Sequence, residues 1–204
     1  MKISNIETFG WQGAFRGMRN PKNSWNKSDS NFEDGNIYIG DNDLKLASAL
    51  IKGGSEHRKF LRMIHVQMDI SFPRYIWSEF DTYHFNVKNS CSTMHKLLSD
   101  KAITLDMFDY NIEDESLMSS IVTRLEQIRK QFLETKDVSL IQRAKQILPE
   151  GYLQKRTIDT NYEELMTMYS QRKNHRLPEW RWFCNQLENL PYFKMFIDIK
   201  EGKK

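Results

Sequence analysis

The stretch that decides the fold begins Ala144-Lys-Gln-Ile-Leu-Pro149, passes through Gln154 to Thr160, and continues with Asn161, Leu165 and Arg172. A helix over about 137–147 stops at Leu148-Pro149, because a proline disfavours helix in the residue before it and lacks an N–H of its own. Gln154 to Thr160 reads as a short extended segment. Asn161 then opens a second helix, to about Lys173. Eleven residues at about 100° each return close to the starting direction, so Asn161 and Arg172 share a face about 16 Å apart. Leu165 and Met168 lie between them, which makes this the buried side. A guanidinium at its end needs an anion, because burying it unpaired is costly. Two partners stay open: an internal carboxylate, or a bound phosphate, which suits the planar fork of Arg.

Downstream, Pro178 starts a helix to about Asn189, and Glu201-Gly-Lys-Lys204 is expected to fray. Upstream, Leu117, Ile121, Leu125, Ile128 and Phe132 recur at helical spacing and predict a long helix ending near Thr135. From Phe60 to Ile70 the pattern changes to alternation, with Phe60, Arg62, Ile64, Val66, Met68 and Ile70 on one face. That predicts a half-buried strand, with Arg62 as its misfit. Ser71-Phe72-Pro73 leads into a helix through Trp77 and Phe80. Asp41 to Lys52 is a helix capped by Asp41 or Asn42, with a buried stripe of Leu44, Ala47, Leu50 and Ile51. Gly53-Gly54 ends it. Residues 2–9 read as a first strand, and about 10–18 as a short helix. Arg16 to Ser30 mixes turn formers with four cations. It reads as a solvated loop, or as a flap whose Arg16, Arg19 or Lys27 reaches an anion.

The totals set the frame. A chain of 204 residues is long enough for one domain with a full core. Its 39% hydrophobic and 28% charged residues match a soluble globular protein. A run of about 18 apolar residues, the mark of a membrane span, does not occur, and the first residues lack the apolar core of a signal peptide. Cys91 and Cys184, the two cysteines, fit a reducing compartment, so a cytoplasmic location is expected. A net charge of +3 does not argue for duplex nucleic acid. It is compatible with a small anionic ligand met by a few local cations.

Between the strand and the long helix lies Asp81-Thr-Tyr-His-Phe-Asn-Val-Lys-Asn-Ser-Cys-Ser-Thr-Met-His95. It is polar and aromatic, its Asn89-Ser-Cys-Ser-Thr93 run is costly in helix or strand propensity, and apolar segments flank it. It reads as a site loop on a rigid scaffold or as a structural Asn/Ser turn cluster. His57, His65, His84 and His95 have no standard metal spacing. Cys91 and His95 could form a nucleophile pair, but the surroundings of a cysteine hydrolase are missing.

Taken together these pieces resemble the flavin-dependent thymidylate synthases, the ThyX family. That family has Ala-Arg-x-x-Leu-Pro, a short extended stretch, Asn-x-x-x-Leu, and an Arg eleven residues past the Asn. Here the pattern falls on Ala144 to Pro149, Asn161, Leu165 and Arg172, with Lys145 in place of the first Arg. Upstream, Gly54 and Ser55-Glu-His57 stand where the family has a Gly and Glu-His. The family signature Arg-His-Arg-x-x-Ser-x-Asn-Glu-x-Ser-x-Arg-Tyr falls on Thr82 to His95 without gaps. Asn89 and Ser92 are kept. Thr82-Tyr83-His84 replace the Arg-His-Arg triplet, Ser90 the Glu, Met94 the second Arg and His95 the Tyr. Glu79 replaces a Gln just upstream. The resemblance covers about residues 41 to 175. The run Asn89-Ser-Cys-Ser-Thr-Met-His95 is also similar to ThyX-like proteins of bacteriophages and prophages.

The resemblance implies an α+β, ThyX-like fold: a central mixed or antiparallel sheet flanked by helices. It implies a homotetramer with sites shared between subunits, and FAD and dUMP as the family's ligands. It assigns a nucleotide to Glu79, Asn89, Ser90, Ser92, Lys145 and Arg172, and a flavin or second ligand to Ser55, Thr82, Tyr83, His84 and Asn161. Losing three signature cations, at about 1.5–3 kcal/mol per charge-assisted bond, is enough to abolish flavin or dUMP binding, and Thr82-Tyr83 in the triplet predict weak flavin binding or none. Two classes of function follow. One is a nucleotide-binding protein, which in a phage would hold a host defence nucleotide in the host cytoplasm. The other is a divergent flavin-dependent methylase or hydroxymethylase of a pyrimidine deoxynucleotide.

Overall fold

The computed structural model describes residues 1–33 and 35–203. In chain order it contains β1 (Lys2–Phe9), α1 (Trp11–Arg19), α2 (Asp41–Lys52), β2 (His65–Pro73) and α3 (Arg74–Phe80). Then come β3 (Val87–Ser90), α4 (Thr93–Lys96), α5 (Glu115–Thr135) and α6 (Ser139–Ile147). Last are β4 (Leu153–Asn161), α7 (Tyr162–Arg172), α8 (Pro178–Leu187) and α9 (Phe193–Glu201). The strands form one antiparallel sheet in the order β1-β2-β4-β3, so the fold is α+β as expected. No helix among the described residues is long and apolar enough to cross a membrane.

The chain divides into two compact units. The first comprises Met1–Ser4, Asp69–Thr82 and Lys88–Thr157. Its helical part has a mostly aliphatic core: α5 packs on α6 through Leu125, Ile128, Leu140 and Ala144, with Leu97, Ile103 and Phe108 against them. The second comprises Asn5–Met68, Tyr83–Val87 and Ile158–Lys204. Its core is aromatic. The Trp11 and Tyr162 rings meet edge to face at 5.1 Å, and Tyr162 meets Phe193 at 5.6 Å. The buried Tyr162 hydroxyl donates to the Pro191 carbonyl at 2.8 Å, as a phenol removed from water must.

Several local expectations need correction. The alternating strand begins later: Lys59–Met63 is a short 3-10 turn and β2 starts at His65. Within β2 the expected face holds, since Val66, Met68, Ile70 and Phe72 are all buried. Arg62 is exposed in that turn, so the misfit marked where strand had not yet begun. Ser71 to Pro73 belong to β2, whose last residue, Pro73, is the cap of α3 and so leads into that helix as expected. In α5 the buried stripe is Met118, Val122, Leu125 and Ile128; Leu117 is exposed. The Asp81–His95 stretch contains β3 and α4 where loop was expected. Helix α9 was not expected, although Phe193, Phe196 and Ile197 bury one face of it. Of the tail expected to fray, Glu201 closes α9, and Lys204 lies outside the described residues.

The 16–30 segment differs most from its reading. Asp43, on α2, is fully buried. Its Oδ1 lies 2.6 Å from Arg19 Nε. Its Oδ2 accepts from the hydroxyls of Ser28 and Ser30 and from the amides of Asp29 and Ser30. Arg19 is 3% exposed and pairs with Asp43, so the segment is not a solvated loop: a buried carboxylate draws it around itself. Arg16 and Lys27 stay exposed. The cap of α2 is also not Asp41 or Asn42. Asp29 accepts from the amides of Asn42 and Asp43 at 2.9 and 3.0 Å, satisfying the first orphan donors from outside the helix. A Cβ on Gly40 would lie 2.3 Å from the Asp29 carboxyl carbon, so this cap requires glycine there.

Candidate functional site

In the second unit, the end of β4 and the Tyr83–Val87 segment enclose a cavity of about 330 Å³. Asp159 faces it with its carboxylate 3.1 Å from His65 Nδ1 and accepting from Gln67 Nε2 at 3.2 Å. Thr160 donates to the Phe85 carbonyl at 3.0 Å and so holds the segment in place. Asn161 caps α7 by accepting the Glu164 amide at 3.0 Å. Its carbonyl is thereby used, and its NH2 is what it can offer the cavity. His84 lines the same space, and exposed Phe85 and Val87 add apolar wall. The lining can hydrogen-bond and stack on a polar ring.

A second cluster in this unit centres on Arg172. Tyr83 is buried because its hydroxyl is bonded twice: it accepts from Arg172 Nε at 2.9 Å and donates to Gln171 Oε1 at 2.8 Å. Arg172 Nη1 lies 2.9 Å from His175 Nε2, which must act as acceptor. The guanidinium sits 4.7 Å from the Trp180 ring centroid and 5.7 Å from that of Tyr83. These cation–π contacts and the Tyr83 bond fix the plane of the fork. Leu165 and Met168 are buried on the face between Asn161 and Arg172, as the spacing predicts. Burial pushes the nearby Cys184 thiol up to about 12, so it is a core residue and not a nucleophile.

The first unit holds the remaining expected residues. Lys145 is exposed, and its Nζ lies 3.3 Å from Met94 Sδ. The two line a cavity of about 560 Å³ with Val138 and Ile141. Asn89 and Ser90 lie on β3, and Ser92 precedes α4 as its cap residue. The Glu79 carbonyl accepts from the Thr82 hydroxyl at 2.7 Å. The structure therefore brings together His84 with Asn161, Tyr83 with Arg172, and Lys145 with Met94. Ser55 is exposed beside none of these; its carbonyl takes a long 3.5 Å contact from Arg62.

Sequence reasoning missed two groups. His65 and Asp159 stand on neighbouring strands, and only the strand pairing makes them a pair. Arg156 on β4 donates to both Asp81 oxygens at 2.9 and 3.1 Å and lies 4.4 Å from the Trp77 ring centroid. Its signal was available: a cation in an extended segment next to apolar Ile158.

No protein-family profile matches the sequence, and no curated protein does. Solved structures do. The whole chain matches the crystal structure of flavin-dependent thymidylate synthase ThyX from Helicobacter pylori complexed with FAD and dUMP. The TM-score is 0.73 at 18% identity, over 100% of both chains. A second crystal structure of ThyX from that organism, also with FAD and dUMP, gives 0.73 and 18% over 98% of this chain and 100% of the other. The chain has the ThyX fold, which bears out the resemblance at the level of architecture.

Proposed function

We propose that this protein binds a nucleotide of the pyrimidine type through its phosphate, and that the entire chain serves this as one ThyX-like domain. The observation that carries the reading is Arg172. Its guanidinium is oriented by Tyr83, His175 and Trp180 at the end of a helix whose other end carries Asn161, in a fold whose solved relatives hold dUMP. Glu79, Asn89, Ser90, Ser92 and Lys145 are, in this proposal, the further nucleotide-binding residues that the ThyX resemblance assigns. Tyr83 contributes by orienting Arg172, and His84 and Asn161 face a second ligand; Ser55 and Thr82, the resemblance's further candidates for it, lie outside the described lining of that cavity.

FAD fits the residues poorly. The cavity shared by His84 and Asn161 includes one carboxylate, Asp159, and neither Lys nor Arg among its described lining. A diphosphate there would meet a like charge and no fixed cation. The reading therefore favours a binding module over a redox enzyme. In its fullest form the protein is phage-encoded and holds a host defence nucleotide in the host cytoplasm. One observation favours the methylase instead: His84 and Asn161, the flavin-side residues of the resemblance, do share a cavity.

Calorimetric titration of the purified protein with dUMP and other nucleoside monophosphates tests the proposal. Micromolar binding without the yellow absorbance of a flavin is expected. Absence of binding by every monophosphate would sink the reading, and one flavin per chain surviving purification would move it to the enzyme.

Assembly has its own test. The proposed site is completed between subunits, and closed symmetric assemblies are common. Light scattering is expected to return a tetramer of the 24.4 kDa chain. A monomer at micromolar concentration would remove the shared site.

A further inference from the structure

We propose that the second unit carries another ligand site, for a small oxyanion attached to a flat ring, in the cavity of about 230 Å³ beside α1. Arg16 and Arg19 line it from α1, three residues apart and so on one side of the helix. Asp43 answers the charge of Arg19. Arg16 has no ion pair among the described residues, so the cavity keeps a positive excess.

Arg19 supplies the second observation. Its Nε goes to Asp43 and its Nη1 to the Ser24 carbonyl at 3.2 Å. Its Nη2 is buried and has no hydrogen-bond partner. A buried unpaired N–H is costly and calls for an explanation. The hydroxyls of Ser28 and Ser30, which also line the cavity, both donate to Asp43, so the guanidiniums and not these protons are what the cavity offers an anion. An oxyanion seated against Arg16 would balance the excess charge, and a shift of the Arg19 side chain that opens its buried Nη2 to the cavity would give that donor a partner.

The ring preference comes from the aromatic part of the lining. Trp25 is 50% exposed, yet its Nε1 is pinned to Asn20 Oδ1 at 2.8 Å. That makes it a fixed apolar shelf. Phe32 packs on the buried Phe15 at 5.1 Å, and both rings line the same space. The volume suits a single ring with its acid group. The site uses none of the residues assigned to the proposed nucleotide.

The test titrates the full chain with benzoate, phenyl phosphate and inorganic phosphate. Arg16→Gln and Trp25→Ala are the variants, since both side chains are exposed and their loss spares the Arg19–Asp43 pair. At least one ring acid is expected to bind, and the stronger of the two identifies the oxyanion. Arg16→Gln should weaken it about tenfold, the scale of a charge-assisted bond. Trp25→Ala should reduce it to the level of inorganic phosphate, while Arg172→Ala leaves it unchanged. The proposal is overturned if the folded protein binds no probe, or if inorganic phosphate binds as well as the stronger ring acid. Binding indifferent to Arg16 and Trp25, or lost with Arg172, overturns it equally.

Discussion

Asp43→Ala is expected to destabilise the protein by about 3–5 kcal/mol, the usual cost of breaking a buried ion pair by removing one partner. The carboxylate is fully buried and gathers Arg19, Ser28, Ser30 and two backbone amides. Its removal strands a buried guanidinium and four donors together. For a chain of this size each kcal/mol moves the melting temperature by about 2–4 °C. Arg19→Met should cost less, about 1–3 kcal/mol, because Asp43 keeps its Ser and amide donors. A melting curve for Asp43→Ala that overlays the wild type would show that the 16–30 segment does not depend on this centre.

The same carboxylate sets an acid limit. Burial alone raises the Asp43 pKa, but the bonds from Ser30, Ser28, Arg19 and the Asp29 amide outweigh it and hold the value below normal. The unfolded chain therefore takes up its proton at a higher pH than the folded one. The contribution is whole above the unfolded value of about 3.9 and is lost as pH falls through the lower native value. The stability gap between wild type and Asp43→Asn should narrow over that window in denaturant titrations. A gap that stays constant through it would assign the stabilisation to shape and not to charge.

Asp43 also illustrates what the sequence conceals. Helices α2, α5, α6 and α7 are legible because their apolar spacing is local. The face of β2 is legible for the same reason. Strand β3 is not, since exposed Val87 gives no alternation and only pairing with β4 makes the segment extended. The cap of α2 comes from Asp29, and no local rule distinguishes that Asp from a loop residue. The sequence shows Asn161 and Arg172 on one face, but not that Asn161 spends its carbonyl on a cap, nor that Tyr83 and Trp180 arrive from elsewhere to frame Arg172. His65 and Asp159 needed the strand register before they became neighbours.

Arg172→Ala is the substitution on which the functional reading turns. If the guanidinium holds a phosphate, its loss should cost about 2–4 kcal/mol of nucleotide affinity, beyond an ordinary hydrogen bond. Arg172→Lys should restore part of it, because a point charge replaces the fork but not its two parallel bonds. Tyr83→Phe sharpens the test. It removes the hydroxyl that receives Arg172 Nε while keeping the ring, so it should weaken nucleotide binding through orientation alone, by less than Arg172→Ala. Stability should change little in Arg172→Ala, since a half-buried cation is removed and the Tyr83 and Trp180 rings can close on each other from 6.2 Å. A structural role predicts the reverse: early melting with nucleotide affinity near normal. Calorimetry and melting curves on the same three variants separate the two, because orientation of a phosphate ligand orders them Ala, Lys, Phe in lost affinity, and a packing role orders them in lost stability.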